Sequence, residues 1–140
     1  MSETQAPPLE TIVIAEDSQV NRKILSHLLV KMGYNVMEYE NGKLAWEAVS
    51  RGEAKDPVAI FSDVMMPELD GISFLRNVRN EGPNKTVPFV LLTAVSDKES
   101  IYEAKKLNVH GYLLKPVSYD KVKKKLSELF PTKKFPALAS

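Results

Sequence analysis

Five side chains suited to phosphate and metal chemistry are spread over the chain, and each lies within two residues of the end of an apolar run. They are Glu16, Asp17, Asp63, Thr93 and Lys115. One aspartate after an apolar run is weak evidence, because Asp is a common turn former at the ends of strands. Here acids follow two of the runs, while a hydroxyl and an amine follow two others. We interpret the five residues as one site.

The chemistry of such a site follows from its charges. Three carboxylates packed together raise one another's pKa unless a cation is present. Oxygen donors without histidine or cysteine favour Mg²⁺, with Mn²⁺ as the alternative, over zinc. A lysine and a threonine beside Asp63 suit a tetrahedral anion. The set is therefore typical of phosphoryl transfer to a carboxylate, with Asp63 as the nucleophile, the metal and Lys115 balancing charge, and Thr93 binding the product.

Short apolar runs predict the strands that would position these side chains. They cover residues 11–15, 35–39, 58–61, 87–92 and 111–114. Four of the runs do not alternate with polar residues, which is typical of strands buried on both faces. The run at 35–39 is more polar, so we predict an edge strand there.

Apolar residues at helical spacing predict a helix after each strand. The stripes are Ile24, Leu25, Leu28, Leu29 and Met32; Leu44, Ala45, Ala48 and Val49; Ile72, Leu75 and Val78; Ile101, Ala104 and Leu107; and Tyr119, Val122, Leu126 and Leu129. Strict alternation of strands and helices implies a parallel sheet covered on both faces. We predict an α/β fold with a doubly wound five-stranded parallel sheet, order 2-1-3-4-5, flavodoxin-like (βα)5. Such sheets bind ligands at the carboxyl ends of their strands.

Four short motifs carry a family resemblance. "IAEDS" (14–18), "SDVMMPELDG" (62–71), "LLTA" (91–94) and "LLKP" (113–116) occur in this order, each at the end of a predicted strand. Over about residues 10–130 the chain resembles a CheY-like receiver domain of the two-component response regulators. Each motif alone is weak evidence, whereas the four together are highly specific.

The resemblance implies a role for each matching position. Asp17, Asp63 and the backbone carbonyl of Met65 would bind the metal directly, and Glu16 would bind it through water. Asp63 would also be the residue that is phosphorylated, and Lys115 would bind the phosphate. Thr93 would supply the switch hydroxyl and Tyr112 the switch aromatic ring. It also implies a cis bond between Lys115 and Pro116. We predict that Ser18 and Asp70 cap helices rather than act as ligands.

The resemblance also implies a function and its partners. A histidine kinase or histidine phosphotransfer protein would supply the phosphoryl group, and the face formed by helix 4, strand 5 and helix 5 would bind a protein output target. On this hypothesis the protein is a switch that assists its own phosphorylation and dephosphorylation, and not an enzyme acting on a substrate. The alternatives are a phosphorylation-independent scaffold with the same fold and a hydrolase that works through an aspartyl phosphate. The hydrolase would need a second carboxylate close after Asp63 as general acid, and "DVM" offers none.

Composition limits the remaining function classes. Nineteen basic and eighteen acidic side chains nearly cancel among 140 residues, so overall charge favours neither nucleic-acid binding nor a polybasic membrane protein. The chain has no cysteine, which suits a reducing compartment. No apolar run is long enough to span a membrane. We predict a cytoplasmic protein with a flexible lead at 1–9, a receiver domain at 10–130 and a flexible tail at 131–140.

Overall fold

Strands and helices alternate through the whole described chain. The computed structural model describes residues 9–54, 56–94 and 96–135. The elements are β1 (Thr11–Ala15), α1 (Gln19–Lys31), β2 (Asn35–Tyr39), α2 (Gly42–Ser50), β3 (Ala59–Asp63), α3 (Gly71–Glu81), β4 (Phe89–Thr93), α4 (Lys98–Lys106), β5 (Gly111–Leu114) and α5 (Tyr119–Leu129).

The strands form one parallel sheet in the order β2-β1-β3-β4-β5. The predicted fold class and strand order are confirmed. In this order β1 and β3 are neighbours although a whole strand and two helices separate them in sequence. Ala15 pairs with Ser62, so the segments that follow these two strands leave the sheet side by side.

Each face of the sheet has its own hydrophobic core. The helices α2, α3 and α4 cover one face, where Val49, Phe74 and Ala104 pack against strand residues such as Leu91. The helices α1 and α5 cover the other face through residues such as Leu25, Leu29, Val122 and Leu126. This division is the consequence of right-handed crossovers on both sides of the switch between β1 and β3.

Several sequence predictions need correction. The strand β5 is not buried on both faces, since it lies at the edge of the sheet with Tyr112 and Leu114 exposed. The apolar run at 111–114 resembles a buried strand only because apolar side chains also occupy its outer face. Ile24 and Leu44, members of two predicted stripes, are exposed as well. The predicted edge position of β2 is confirmed.

The boundaries of β3 and β4 also differ from the prediction. The two strands extend to Asp63 and Thr93, which are therefore the last residues of their strands rather than the first residues beyond them. Strand pairing decides this, because Asp63 pairs with Leu92 and Thr93 pairs with Leu114. Both side chains are thus attached to hydrogen-bonded backbone and not to a loop.

Local caps fix where α1 and α3 begin beside the carboxyl end of the sheet. Ser18 Oγ accepts from the amide of Asn21, and Asp70 Oδ1 accepts from the amide of Ser73, as predicted. At Gly71 a Cβ atom would overlap the carbonyl oxygen of Asp63, so only glycine lets α3 start this close to β3. The amide of Gly71 also donates to the carbonyl of Val64 at 2.8 Å.

The segments outside the predicted domain are partly described. The ring of Phe135 packs near that of Tyr34, with centroids 6.1 Å apart, and Lys133 forms an ion pair with Glu10. The remainder of the predicted flexible lead and tail, residues 1–8 and 136–140, lies outside the described residues. Among the helices described, none is long and apolar enough to cross a membrane.

Candidate functional site

The five predicted site residues come from four strands that end at the same edge of the sheet. Glu16 and Asp17 follow β1, Asp63 and Thr93 end β3 and β4, and Lys115 follows β5. Parallel strands place all these ends on one side, and the order β1-β3-β4-β5 puts the acids next to the hydroxyl and the amine. The peptide bond between Lys115 and Pro116 is cis, as the resemblance implied.

Three carboxylates meet at this edge. One oxygen from each of Glu16, Asp17 and Asp63 lies within 4.8 Å of the other two. Glu16 and Asp63 are only 2% and 4% exposed, whereas Asp17 is open to solvent. A cluster that is buried on one side and accessible on the other can take up a small cation from solution. Its all-oxygen chemistry fits Mg²⁺.

Lys115 carries the positive charge in contact with this cluster. Its Nζ lies 2.6 Å from Asp63 Oδ1 and 3.5 Å from Glu16 Oε1. Burial lowers the pKa of the Lys115 ammonium, but the hydrogen bond and the charge of Asp63, with help from Glu16, outweigh burial and raise the pKa above its ordinary value. The lysine is therefore firmly charged at neutral pH.

The pKa of Glu16 is raised in spite of the nearby ammonium of Lys115. Burial, followed by the hydrogen bond that protonated Glu16 donates to the Asp63 carboxylate, raises the pKa of Glu16 from 4.5 to about 7. The hydrogen bond that Glu16 Oε2 accepts from the amide of Ser18, at 3.1 Å, works in the opposite direction. A divalent cation at this point would favour the ionised form of Glu16.

The orientation of Asp63 is set by its own backbone and by Lys115. The amide of Val64 donates to Asp63 Oδ1 at 3.0 Å, the same oxygen that contacts the lysine. The adjacent Ser62 is fully buried, and its hydroxyl donates to the Asp63 carbonyl at 2.9 Å. A carboxylate held in this way has few rotamers open to it.

The other predicted residues have no hydrogen bond to the acidic cluster among the described contacts. The Thr93 hydroxyl is buried and donates to the carbonyl of Leu113 at 3.4 Å, so its hydrogen bond points to β5 rather than to a carboxylate. Tyr112 is 44% exposed on the outer edge of the sheet. Met65 lies in the loop after β3 with its side chain exposed, which leaves its backbone as the group available for binding.

Sequence reasoning assigned no role to Arg22, which contacts Glu16, or to Glu38, which contacts Arg22. Arg22 Nη1 donates to the carbonyl of Glu16 at 2.8 Å, and Arg22 Nε lies 3.6 Å from Glu38 Oε1. The available signal was the position of Arg22 in the first turns of α1, where a long side chain reaches back to the preceding loop. Its partner on β2 could not be read from spacing, since sixteen residues separate them.

The whole arrangement matches a known family. The sequence model of the response regulator receiver domain matches residues 12–127, so the chain belongs to this family. Receiver domains act in two-component signalling as switches rather than as conventional enzymes. The family resemblance read from the four motifs is therefore confirmed.

Individual relatives cover the chain to different extents. It is 30% identical over 122 residues to the chemotaxis protein CheY1 of Helicobacter pylori, a match that covers 86% of this chain and 97% of that protein. It is 32% identical over 126 residues to the 3',5'-cyclic-nucleotide phosphodiesterase regA of Dictyostelium discoideum, covering 89% of this chain. The match spans only 16% of the phosphodiesterase.

Solved structures of receiver domains and of CheY proteins have the same fold as this chain. CheY4 of Vibrio cholerae superposes with a TM-score of 0.78 at 28% identity, over 88% of this chain and all of that one. The receiver domain of the sensor histidine kinase PA1611 from Pseudomonas aeruginosa PAO1 also gives a TM-score of 0.78, at 26% identity over 89% of this chain and 100% of its own. That structure is described as having a magnesium ion coordinated in the active site cleft.

Proposed function

We propose that this receiver domain accepts a phosphoryl group on Asp63 from a phosphohistidine of a histidine kinase or histidine phosphotransfer protein. The observation that carries the proposal is the 2.6 Å contact between Lys115 Nζ and Asp63 Oδ1 beside two further carboxylates. It joins a nearly buried nucleophile to a fixed positive charge at the edge of the sheet where this fold binds ligands.

Mg²⁺ is the cofactor that the donor set supports. Asp17, Asp63 and the backbone carbonyl of Met65 would hold the ion directly, and Glu16 would reach it through a water molecule. When bound, the ion supplies positive charge to the oxygens of the transferring phosphoryl group. The exposed position of Asp17 supports direct binding, because that carboxylate faces the solvent from which the ion arrives.

The reaction forms one bond to phosphorus and breaks another, and it involves no oxidation or reduction. An oxygen of the Asp63 carboxylate forms a bond to phosphorus while the bond from phosphorus to the histidine nitrogen breaks. The electron pair of the broken bond stays on the imidazole ring of the donor. The ammonium of Lys115 then pairs with the phosphoryl oxygens, and its pKa is raised in the unphosphorylated protein that receives the group.

Thr93 and Tyr112 would convert phosphorylation into a change at the surface. In the structure the Thr93 hydroxyl donates to Leu113 of β5, the strand that also carries Tyr112. Drawing this hydroxyl toward a phosphoryl group on Asp63 would remove its hydrogen bond to Leu113 and so change a contact between β4 and the edge strand β5. The exposed residues Tyr102, Tyr112 and Leu114 lie on the face formed by α4, β5 and α5, which we propose binds the output target.

Intact mass measurement tests the phosphoacceptor. The purified protein is incubated with Mg²⁺ and a small acyl phosphate, and the expected product carries one added phosphoryl group. Asp63→Asn should carry none, and neither should the wild type in EDTA. Asp70→Asn is the matched control, because it removes a carboxylate from the same loop while leaving a residue that caps α3 equally well.

The same experiment can overturn the proposal. A phosphoryl adduct that persists in Asp63→Asn would place the acceptor elsewhere. A wild-type protein that is folded but gains no adduct from the acyl phosphate, nor from a phosphorylated phosphotransfer protein, would favour the phosphorylation-independent scaffold.

A further inference from the structure

We infer that Arg22 is a positioning residue that holds the turn between Glu16 and Asp17 in the geometry needed to bind Mg²⁺, and that Glu38 holds Arg22 in place. This inference rests on the proposed function, because it assigns Mg²⁺ to the acidic cluster. It adds two residues that lie outside the cluster and that would contact neither the ion nor the phosphoryl group.

The first step is the contact between Arg22 and the loop after β1. Arg22 Nη1 donates to the carbonyl oxygen of Glu16 at 2.8 Å, and its side chain is 14% exposed. This carbonyl belongs to the peptide unit that joins Glu16 to Asp17. Since a peptide unit is planar and rigid, holding its oxygen also limits where the Cα atom of Asp17 can lie.

The second step is that Glu16 is held at three points. Its amide donates to the carbonyl of Tyr39 at 3.1 Å, its carbonyl accepts from Arg22, and its carboxylate accepts from the amide of Ser18. The first bond joins two backbone groups, and the third joins the Glu16 side chain to a backbone amide. The bond from Arg22 is the one made by the side chain of another residue, so a substitution that leaves Glu16 unchanged can remove it.

The third step is the anchoring of Arg22 by Glu38. Glu38 lies on β2 opposite Ile14, one residue before the end of β1. Its Oε1 is 3.6 Å from Arg22 Nε, and its Oε2 accepts from the Ser26 hydroxyl at 3.0 Å. The carboxylate is thus fixed from α1 as well as from the sheet, and it limits the rotamers open to the guanidinium.

Lys23 provides the matched control. It is the next residue on α1, carries the same charge, and reaches the same carboxylate, with Nζ 3.2 Å from Glu38 Oε1. Its side chain is exposed, and its hydrogen bond goes to Glu38 and not to the Glu16 carbonyl. A comparison of Arg22 with Lys23 therefore separates the bond to the acidic turn from the effect of a positive charge near it.

When Arg22 is substituted, an effect through charge and an effect through positioning would change the affinity for Mg²⁺ in opposite directions. Removing a cation from the neighbourhood of a Mg²⁺ site favours the ion by Coulomb's law, and so would tighten binding slightly for either residue. Loss of the hydrogen bond to Glu16 would let the acidic turn rotate and so weaken binding. Only the positioning role predicts that substitution of Arg22 weakens Mg²⁺ binding while substitution of Lys23 does not.

The test measures Mg²⁺ binding to folded, unphosphorylated protein by titration calorimetry, well below the unfolding temperature. Arg22→Met keeps the apolar stem and removes the donors, and we expect its dissociation constant to rise by roughly tenfold, as for other residues that orient metal ligands. Lys23→Met should bind as tightly as wild type or slightly more tightly. Arg22→Lys retains one donor, and its affinity should fall between those of wild type and Arg22→Met.

A readout without metal accompanies the titration. In the metal-free protein, the amide NMR resonances of Asp17 and Ser18 should shift in Arg22→Met and stay in place in Lys23→Met. A purely stabilising role for Arg22 would lower the unfolding temperature but leave the affinity of the folded protein unchanged. Should Arg22→Met fail to fold, Arg22→Lys takes its place, because it keeps the positive charge, and weaker binding than in wild type and in Lys23→Met is expected.

The outcomes separate this inference from the proposed function. Equal Mg²⁺ affinities for Arg22→Met and Lys23→Met, or tighter binding by Arg22→Met, would overturn the positioning role. A wild type that binds no Mg²⁺ would instead overturn the proposed cofactor. The amide resonances would then still decide whether Arg22 orders the acidic turn.

Discussion

The two ends of the sheet both contain a partly buried basic side chain, but its partners are neutral carbonyls at one end and carboxylates at the other. At the amino end, Arg79 of α3 donates to neutral backbone carbonyls in two loops. These are the carbonyls of Lys85, Val87, Leu107 and Asn108, at 2.9 to 3.0 Å. At the carboxyl end, Lys115 faces a cluster of three carboxylates.

The two ends differ in whether the basic side chain and its partners leave an excess of charge. The guanidinium of Arg79 donates to four carbonyls and so connects the loop before β4 to the loop before β5. At the other end one ammonium faces three acids, and burial, followed by the hydrogen bond with Asp63, raises the pKa of Glu16 to about 7. A site that only holds loops together can be satisfied by the chain itself, whereas a binding site keeps a charge imbalance for its ligand to correct.

The largest expected effect separates the two ends by function. Lys115→Met removes the charge that pairs with the phosphoryl oxygens, so the rate of adduct formation from a small acyl phosphate should fall on the order of 100-fold. Arg79→Met should react at the wild-type rate, since Arg79 lies at the opposite end of the strands. The rates are followed by intact mass at saturating Mg²⁺. Equal rates for the two variants would contradict the claim that Lys115, and not Arg79, takes part in phosphoryl transfer.

The next effect separates the two ends by stability. Arg79→Met leaves several carbonyls without their donor, and partial access of water limits the loss of unfolding free energy to about 2 kcal/mol. Arg76 is the matched control on the same helix, because its ion pair with Glu103 is exposed. Arg76→Met should cost at most about 0.5 kcal/mol. Urea unfolding measures both, and a similar loss for both variants would contradict a structural role for the Arg79 network.

The smallest effect is a pH dependence at the amino end. Burial, and then the charge of Arg79, lower the pKa of His110, whose Nδ1 accepts from the amide of Phe89 at 3.2 Å. The unfolded chain therefore binds a proton more readily than the folded one. The stability that neutral His110 contributes is present above its unfolded pKa of about 6.5 and is lost as pH falls through the lower folded value.

His110→Gln removes this titration while keeping an acceptor near the Phe89 amide. The difference in unfolding free energy between wild type and His110→Gln, measured in urea at about pH 7.5 and about pH 5, should shrink at the lower pH. A difference that stays constant would mean that His110 does not contribute to the pH dependence of stability.

Much of the fold could be predicted from local pattern. The strands β1, β2 and β5 begin and end where their apolar runs do, and the alternation of strands and helices leads to the observed sheet order. The errors at β3 and β4 arose because Asp63 and Thr93 are polar, and a polar residue looks like the end of a strand. Hydrogen bonding to the neighbouring strand, which composition does not reveal, carries both strands through these residues.

The candidate site was predictable for a related reason. A parallel sheet collects the ends of its strands at one edge, so reading the residue at each strand end identifies the side chains that converge there. The acidic cluster and its contact with Lys115 follow from this rule. The roles that require movement, those of Thr93 and Tyr112, stay predictions, because the structure holds one in a hydrogen bond to β5 and the other at the surface.

The sequence by itself determined the order of the elements, the faces that pack and the set of acids, hydroxyl and amine at the strand ends, because these depend on residue type and spacing along one chain. Only the tertiary structure decided which charges are balanced. Arg22 on α1 contacts Glu38 on β2, and Arg79 contacts carbonyls in two separate loops. Such contacts depend on the distance and burial of groups far apart in sequence, and those quantities exist only once the sheet and helices have packed.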